Sequence, residues 1–139
     1  MSTVFSLDSR LAADTIAVCE LPLSTVRLMN DSRFPWLILV PRRANASELT
    51  DLEPADRLRL WDEVADASRT LAAIAKPKKL NVAAIGNVVA QLHMHIVARN
   101  ERDAAWPGPV WGVGTAQPYA PGAAERLIAE LQVALRPTR

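Results

Sequence analysis

Gln91-Leu92-His93-Met94-His95-Ile96-Val97-Ala98-Arg99 contains both histidines of the chain, two residues apart, with apolar Leu92, Met94 and Ile96 alternating with them. Alternation with a period of two is the pattern of a β-strand whose two sides meet different surroundings. Gln91, His93 and His95 are expected on one side, and Leu92, Met94 and Ile96 on the other, in a core. Same-side neighbours on a strand lie roughly 6.5–7 Å apart, so one small anion can reach both imidazoles. Folding alone does not call for two imidazoles side by side, and the stretch reads as the wall of an active site.

Just upstream, Leu80 to Ile85 reads as a second strand, and Gly86-Asn87 as a tight turn leading into the histidine strand. Just downstream, Asn100 opens a loop that runs through Trp106-Pro107-Gly108-Pro109-Val110-Trp111-Gly112. Two tryptophans carry too much apolar area for a solvated linker, so this loop is expected to fold back over something. Further upstream, Pro54 suits the first residue of a long helix. Leu58, Trp61, Ala65, Ser68, Ala72 and Ala75 recur at steps of three and four as its expected core stripe. Asp56, Arg57, Arg59, Asp62, Glu63, Asp66 and Arg69 then make a solvated face, and Lys76-Pro77-Lys78-Lys79 ends the helix with cations at its negative pole.

Arg42 to Leu52 is a polar connection. Before it, Ile16 to Leu21 and Ser24 to Asn30 read as strands separated by Pro22. The polar turn Asn30-Asp31-Ser32-Arg33 precedes Phe34 to Pro41, a strand expected to be buried on both faces and closed by a proline. These segments predict an antiparallel hairpin or meander. Val4 to Leu7 suggests one more short strand and Ser9 to Ala13 a helical turn, while Glu125 to Leu135 predicts a closing helix with Leu127, Ile128, Leu131 and Leu135 on one face. The order β, long α, β, α gives the α+β class with a mainly antiparallel sheet, in one domain spanning residues 1–139.

A net charge of +1 supplies no whole-molecule field for nucleic acid or an anionic membrane, so neither is an expected partner and any phosphate must be held locally. The longest apolar run, Phe34 to Pro41, is too short to span a bilayer. The opening Met1-Ser2-Thr3-Val4-Phe5 shows no signal-peptide pattern. The lone Cys19 excludes an internal disulfide, suits a cytoplasmic location, and without an adjacent histidine reads as structural rather than nucleophilic.

Phosphoryl or nucleotidyl transfer through histidine needs one neutral imidazole in line with phosphorus, donors for the phosphate oxygens, and a proton for the leaving group. His93 and His95 can divide these tasks, one attacking while the other carries a proton. Gly86-Asn87 can bring backbone N–H groups to phosphate, and Asn30 and Asn81 offer amides for sugar hydroxyls or phosphate oxygens. The spacing also fits a plain polar face or half a zinc site. Zinc asks for three or four ligands and would have to recruit Asp or Glu here, so no resident metal is expected.

The residues around the two histidines resemble the histidine-triad (HIT) family, whose signature is His-φ-His-φ-His-φ-φ with φ apolar. Gln91-Leu92-His93-Met94-His95-Ile96-Val97 is similar to it, with glutamine in the first triad position. Leu28-Met29-Asn30 with Trp36-Leu37-Ile38-Leu39-Val40-Pro41, Lys79-Leu80-Asn81 with Gly86-Asn87, and Trp106-Pro107 extend the likeness from about Asp14 to Trp111. It is strongest to bacterial members described as diadenosine-polyphosphate-hydrolase-like.

The resemblance implies a HIT-like α+β fold: a mainly antiparallel five-stranded sheet, one long helix, and a C-terminal helix over about 123–136. It implies a nucleotide ligand and cleavage at an α-phosphate, as in a dinucleoside polyphosphate or a phosphoramidate, through a nucleotidylated histidine. His93 matches the nucleophile, and His95 the histidine that binds phosphate and assists proton transfer. Asn30 matches a ribose-binding position, Asn81 and Asn87 polar positions near ribose and phosphate, and Trp106 a tail residue that reaches the partner's site in a homodimer. No cofactor is required, although a divalent metal can accompany a polyphosphate substrate.

Two departures stand out. Gln91 cannot accept a proton, so the alternative is a nucleotide-binding protein with little or no catalysis; a scaffold role is a third reading. Pro35-Trp36 replaces a small residue plus histidine, and Trp36 is expected in the core rather than stacked on a purine.

Overall fold

Phe34 to Pro41 contributes the middle of the sheet, as its unbroken apolarity requires. The computed structural model describes residues 4–135. Helix α1 (Ser9–Asp14) leads into β1 (Thr15–Glu20), β2 (Ser24–Met29) and β3 (Trp36–Pro41). A 3-10 turn at Leu49–Asp51 precedes the long helix α2 (Pro54–Ala75). Then come β4 (Lys79–Ala83), β5 (Met94–Arg99) and α3 (Ala123–Ala134). The five strands form one sheet in the order β1-β2-β3-β5-β4, antiparallel throughout. This is the expected α+β architecture.

Register sorts the side chains. Arg27, Ile38, His95 and Ala83 form one row across β2, β3, β5 and β4. Trp36, Val97 and Asn81 form the next row on the same face, followed by Arg99 and Lys79. The opposite face carries Val26, Leu28, Leu37, Leu39, Met94 and Ile96, and packs on Leu60, Val64, Ala67 and Leu71 of α2 and Leu131 of α3. The histidine face has its own small core of Leu11, Phe34, Trp36, Ile38, Val40, Val97 and Val110. All six residues of β5 are buried because both of its faces are covered.

Several expectations need correction. The histidine strand starts at Met94, since the Leu92 N–H donates to the Ala46 carbonyl at 2.9 Å and leaves the ladder. The strand expected at 80–85 ends at Ala83. Residues 4–7 form no strand; the Ser6 carbonyl within them is taken by a side chain described below. The largest error lies in α2. Leu58 and Trp61 are 70% and 47% exposed, and the buried line is Leu60, Glu63, Val64, Ala67 and Leu71. Two overlapping apolar stripes exist, and the sheet covers the one without the tryptophan. Glu63, expected in solvent, is buried and accepts the N–H groups of Leu23 and Ser24 at 2.8 and 2.9 Å, terminating the β1–β2 turn.

Pro54 does begin α2, and Lys76 ends it in a left-handed conformation, φ 50°, with its N–H on the Ala72 carbonyl. Met1 to Thr3, and Arg136 of the expected C-terminal helix, lie outside the described residues.

Candidate active site

β5 and the three residues before it bring His93 and His95 side by side, their ring centroids 4.8 Å apart and the rings inclined at 61°. Both side chains are buried, at 6% and 4% exposure. Their immediate partners differ in kind. His93 Nδ1 lies 2.7 Å from the main-chain oxygen of Gln91. A carbonyl can only accept, so Nδ1 carries a hydrogen, and in the neutral ring Nε2 is the nitrogen with the lone pair. His95 is the mirror case. Its Nδ1 receives the indole N–H of Trp36 at 3.0 Å and that of Trp111 at 3.4 Å. An indole can only donate, so His95 Nδ1 must be unprotonated, and the neutral ring carries its hydrogen on Nε2. The pair presents one nucleophilic nitrogen and one N–H donor.

Burial, and then the neighbouring His93, push the pKa of His95 down from 6.5 to about 3. It therefore stays neutral at physiological pH, which corrects the expectation that it carries a proton beside an attacking partner. A cleft of about 40 Å³ reaches His93 and is lined by Glu48, Ile85, Gly86, Gln91 and Leu92 among others. Gly86 adopts φ +73°, which favours glycine, and the turn brings its backbone to that opening.

The Trp-rich loop folds back, as its composition requires, and Arg99 holds it there. The Arg99 side chain is 2% exposed. Its Nε donates to Asp103 at 2.8 Å, and its terminal nitrogens donate to the Asn81 side-chain oxygen and the Gly108 carbonyl, both at 2.7 Å. Its guanidinium also lies over the rings of Phe34 and Trp106, at 5.8 and 5.7 Å. The Arg99 hydrogen bonds, first among several, pull the Asp103 carboxyl down to about 2. The same carboxyl accepts the N–H groups of Asn100, Ala105 and Trp106, which shapes the loop. Trp111 is thereby delivered to His95, with ring centroids 5.3 Å apart.

The other sequence candidates divide. Gln91 joins the site through its backbone only. Its side-chain oxygen accepts the Asp8 N–H and its nitrogen donates to the Ser6 carbonyl, both at 2.8 Å, so the amide clips down the N-terminal segment. Asn87 is exposed beside Gly86. Asn81 lies on the histidine face, its oxygen taken by Arg99. Asn30 follows the end of β2, and its side-chain oxygen accepts the Tyr119 N–H at 3.0 Å. Trp106 packs on Arg99 rather than on the imidazoles. Trp36 is in the core as expected, but with its N–H committed to His95.

Sequence reasoning missed Trp111, Arg99 and the polar task of Trp36. A buried indole N–H needs an acceptor, and that signal pointed to the nearby imidazoles. Among the described residues, no three His, Cys, Asp or Glu side chains gather as metal ligands. Nor is any described helix long and apolar enough to cross a membrane.

Residues 10–102 match the family model of the HIT domain. Three solved structures are similar over nearly the whole chain. A histidine triad protein from Bradyrhizobium japonicum is 45% identical, with a TM-score of 0.93 over 95% of this chain and 98% of that one. A histidine triad protein from Sinorhizobium meliloti is 44% identical, with a TM-score of 0.92 over 94% and 97% of the two chains. One from Marinobacter aquaeolei is 42% identical, with a TM-score of 0.92 over 95% and 96%. No curated protein matches. With its domain, its fold and its paired histidines in agreement, the chain belongs to the histidine-triad family.

Proposed function

We propose that this protein is a nucleotide hydrolase or nucleotidyl transferase that cleaves a nucleoside 5′-phosphate derivative at the α-phosphate. The carrying observation is the 2.7 Å contact between His93 Nδ1 and the Gln91 carbonyl, which assigns the lone pair of the neutral ring to Nε2. His93 Nε2 attacks phosphorus, the leaving group departs, and water then releases the nucleotide and restores the imidazole. His95 donates its Nε2–H to a phosphate oxygen, and backbone N–H groups at Gly86 add to this support. Asn87, exposed beside Gly86, is our candidate for the sugar hydroxyls. The closest functional flavour is the diadenosine-polyphosphate-hydrolase-like branch, with dinucleoside polyphosphates or phosphoramidates as substrates and any divalent cation arriving with the polyphosphate.

The test is acid trapping with a nucleotide labelled at the α-phosphate. The wild-type protein is expected to retain label and His93→Ala to retain none, with nucleotide affinity and melting temperature largely kept. Saturable binding without label would support the second reading, a nucleotide-binding protein with little turnover. That reading is favoured by one observation: neither Gln91, an amide tied to Ser6 and Asp8, nor the neutral His95 can supply a proton.

We also place a second copy of the chain on the outer edge of β4, which has no partner strand among the described residues and exposes Val82 at 42%. Light scattering is expected to give a dimer for the wild type and a monomer for Val82→Asp; a wild-type monomer would remove the proposal. The lone Cys19, its thiol pushed up by burial and then by Glu20, suits the reducing cytoplasm, which cell fractionation tests.

A further inference from the structure

Two donors converging on one acceptor are more than a single lone pair requires. His95 Nδ1 has one lone pair, yet the indole N–H groups of Trp36, from β3, and Trp111, from the loop after β5, both point at it. The two indoles stand 86° apart with centroids 6.0 Å from each other, so they approach the imidazole from different sides. To protonate Nδ1 is to turn two buried donors against a third, which costs both hydrogen bonds and leaves the indole groups unpaired. The other groups around His95 supply no compensating anion. Ile38 and Ala83 flank it across β3 and β4, His93 is beside it, and along the same face of β5 Arg99 is already paired with Asp103.

We propose that Trp36 and Trp111 are positioning residues that hold His95 permanently as a neutral Nε2–H donor. The site then lacks a general acid and acts on nucleotide derivatives whose leaving group departs as an anion, a phosphate or polyphosphate rather than an amine. The inference rests on the reaction proposed above and narrows its substrate class. Electron accounting gives the reason. As the bond from His93 Nε2 to phosphorus forms, the bond to the leaving group breaks and its electron pair goes with that group. On a phosphate oxygen the pair is stable without a proton. On nitrogen it is not, so an amine has to be protonated before it leaves. Gln91 has no acidic proton, His95 is locked, and His93 is spent as the nucleophile. In the second step water attacks phosphorus, the pair returns to Nε2, and the proton of water passes to solvent.

General acid catalysis is worth about 10²–10⁴-fold, so an adenosine 5′-phosphoramidate should turn over at least about a hundred-fold more slowly than a diadenosine polyphosphate. Nitrogen-15 NMR of the free protein reads the lock directly. Between about pH 5 and 8, His95 is expected to keep Nε2 protonated and Nδ1 bare. Trp111→Phe and Trp36→Phe keep the rings and delete the N–H groups. They should free His95 Nδ1 and let the ring sample both neutral tautomers, while burial and His93 still hold it uncharged, and lower kcat more than they raise KM. Glu48 lines the His93 cleft, so Glu48→Gln controls for a carboxyl acid and is expected to leave the substrate ratio unchanged.

The proposal is overturned if wild-type His95 titrates near neutrality or carries Nδ1–H. It is equally overturned if the amine substrate matches the polyphosphate, or if Glu48→Gln alone widens the gap. Should neither substrate turn over or label His93, the proposed reaction fails and the leaving-group preference with it, whereas the NMR result still decides the lock.

Discussion

The two faces of the sheet are built on different principles. On one, Leu37, Leu39, Met94 and Ile96 meet α2 and α3 in a core of regular elements, and nearly every contact is apolar. On the other, a smaller apolar cluster surrounds His95 and Arg99, and loops from distant parts of the chain are fixed by side chains bonded to backbone. Apolar packing degrades in proportion to the volume removed. A buried polar network fails sharply, because deleting one member leaves the others unsatisfied in a medium that cannot solvate them. The helix face therefore carries stability, and the histidine face carries geometry.

The most disruptive test of that contrast is Arg99→Met. It conserves bulk but leaves Asp103 buried without its cation and strands the Gly108 carbonyl and the Asn81 oxygen. Removing one partner of a buried pair costs about 3–5 kcal/mol, which urea unfolding measures. Trp111 should leave His95 at the same time, so turnover falls further than stability alone explains. The matching change on the other face is Leu60→Ala, at a fully buried position. It should cost about 2–5 kcal/mol while kcat per folded molecule stays near wild type. Equal losses of kcat in both variants would mean that the two faces are not separable.

Acid provides a milder probe. His95 is neutral in the folded protein down to about pH 3, whereas unfolded chains protonate their histidines near 6.5. The unfolded state thus binds more protons throughout that window, and stability must fall as the pH drops through it, by at most about 1.4 kcal/mol per pH unit. Asp103 acts in the same sense lower down, its contribution being lost between 3.8 and about 2. Thermal melts from neutral to acidic pH should show this slope in the wild type and a flatter one in His95→Asn, whose amide oxygen still accepts the two indole N–H groups. Parallel slopes would mean that His95 is not the buried neutral group.

The regular half of the molecule was legible in the sequence. The proline-bounded run at Trp36–Pro41, the alternation at Met94–Arg99 and the periodicity of α3 each carry their own phase. In α2 the phase was ambiguous, because Leu58 and Trp61 form a stripe as regular as Leu60, Val64, Ala67 and Leu71. Periodicity ranks stripes by regularity, whereas burial is settled by what lies opposite. Of the site, the histidine pair and the turn at Gly86 were legible because they are contiguous or nearly so. Trp111, Arg99 and the N-terminal clip were not, since each meets its partner across a loop whose path no local pattern encodes.

Gln91 gives the finest test, because its two halves serve different regions. Its main-chain oxygen sets the tautomer of His93, while its side chain ties down Ser6 and Asp8. Gln91→Ala deletes only the second function. Two hydrogen bonds at about 0.5–1.5 kcal/mol each are lost, and the loss is confined to the N-terminal segment, so the Asp8 amide should exchange with solvent about tenfold faster or more. Turnover should fall by less than tenfold, since the His93 contact is made by backbone. Gln91→His separates the two explanations of this position. Neutral imidazole has one donor and one acceptor at angles unlike those of a carboxamide, so the clip loosens and the rate is expected to stay level or drop. A rise in rate would show that the missing histidine limits proton transfer, and the amide would then be a catalytic handicap rather than a fastening for the N-terminal segment.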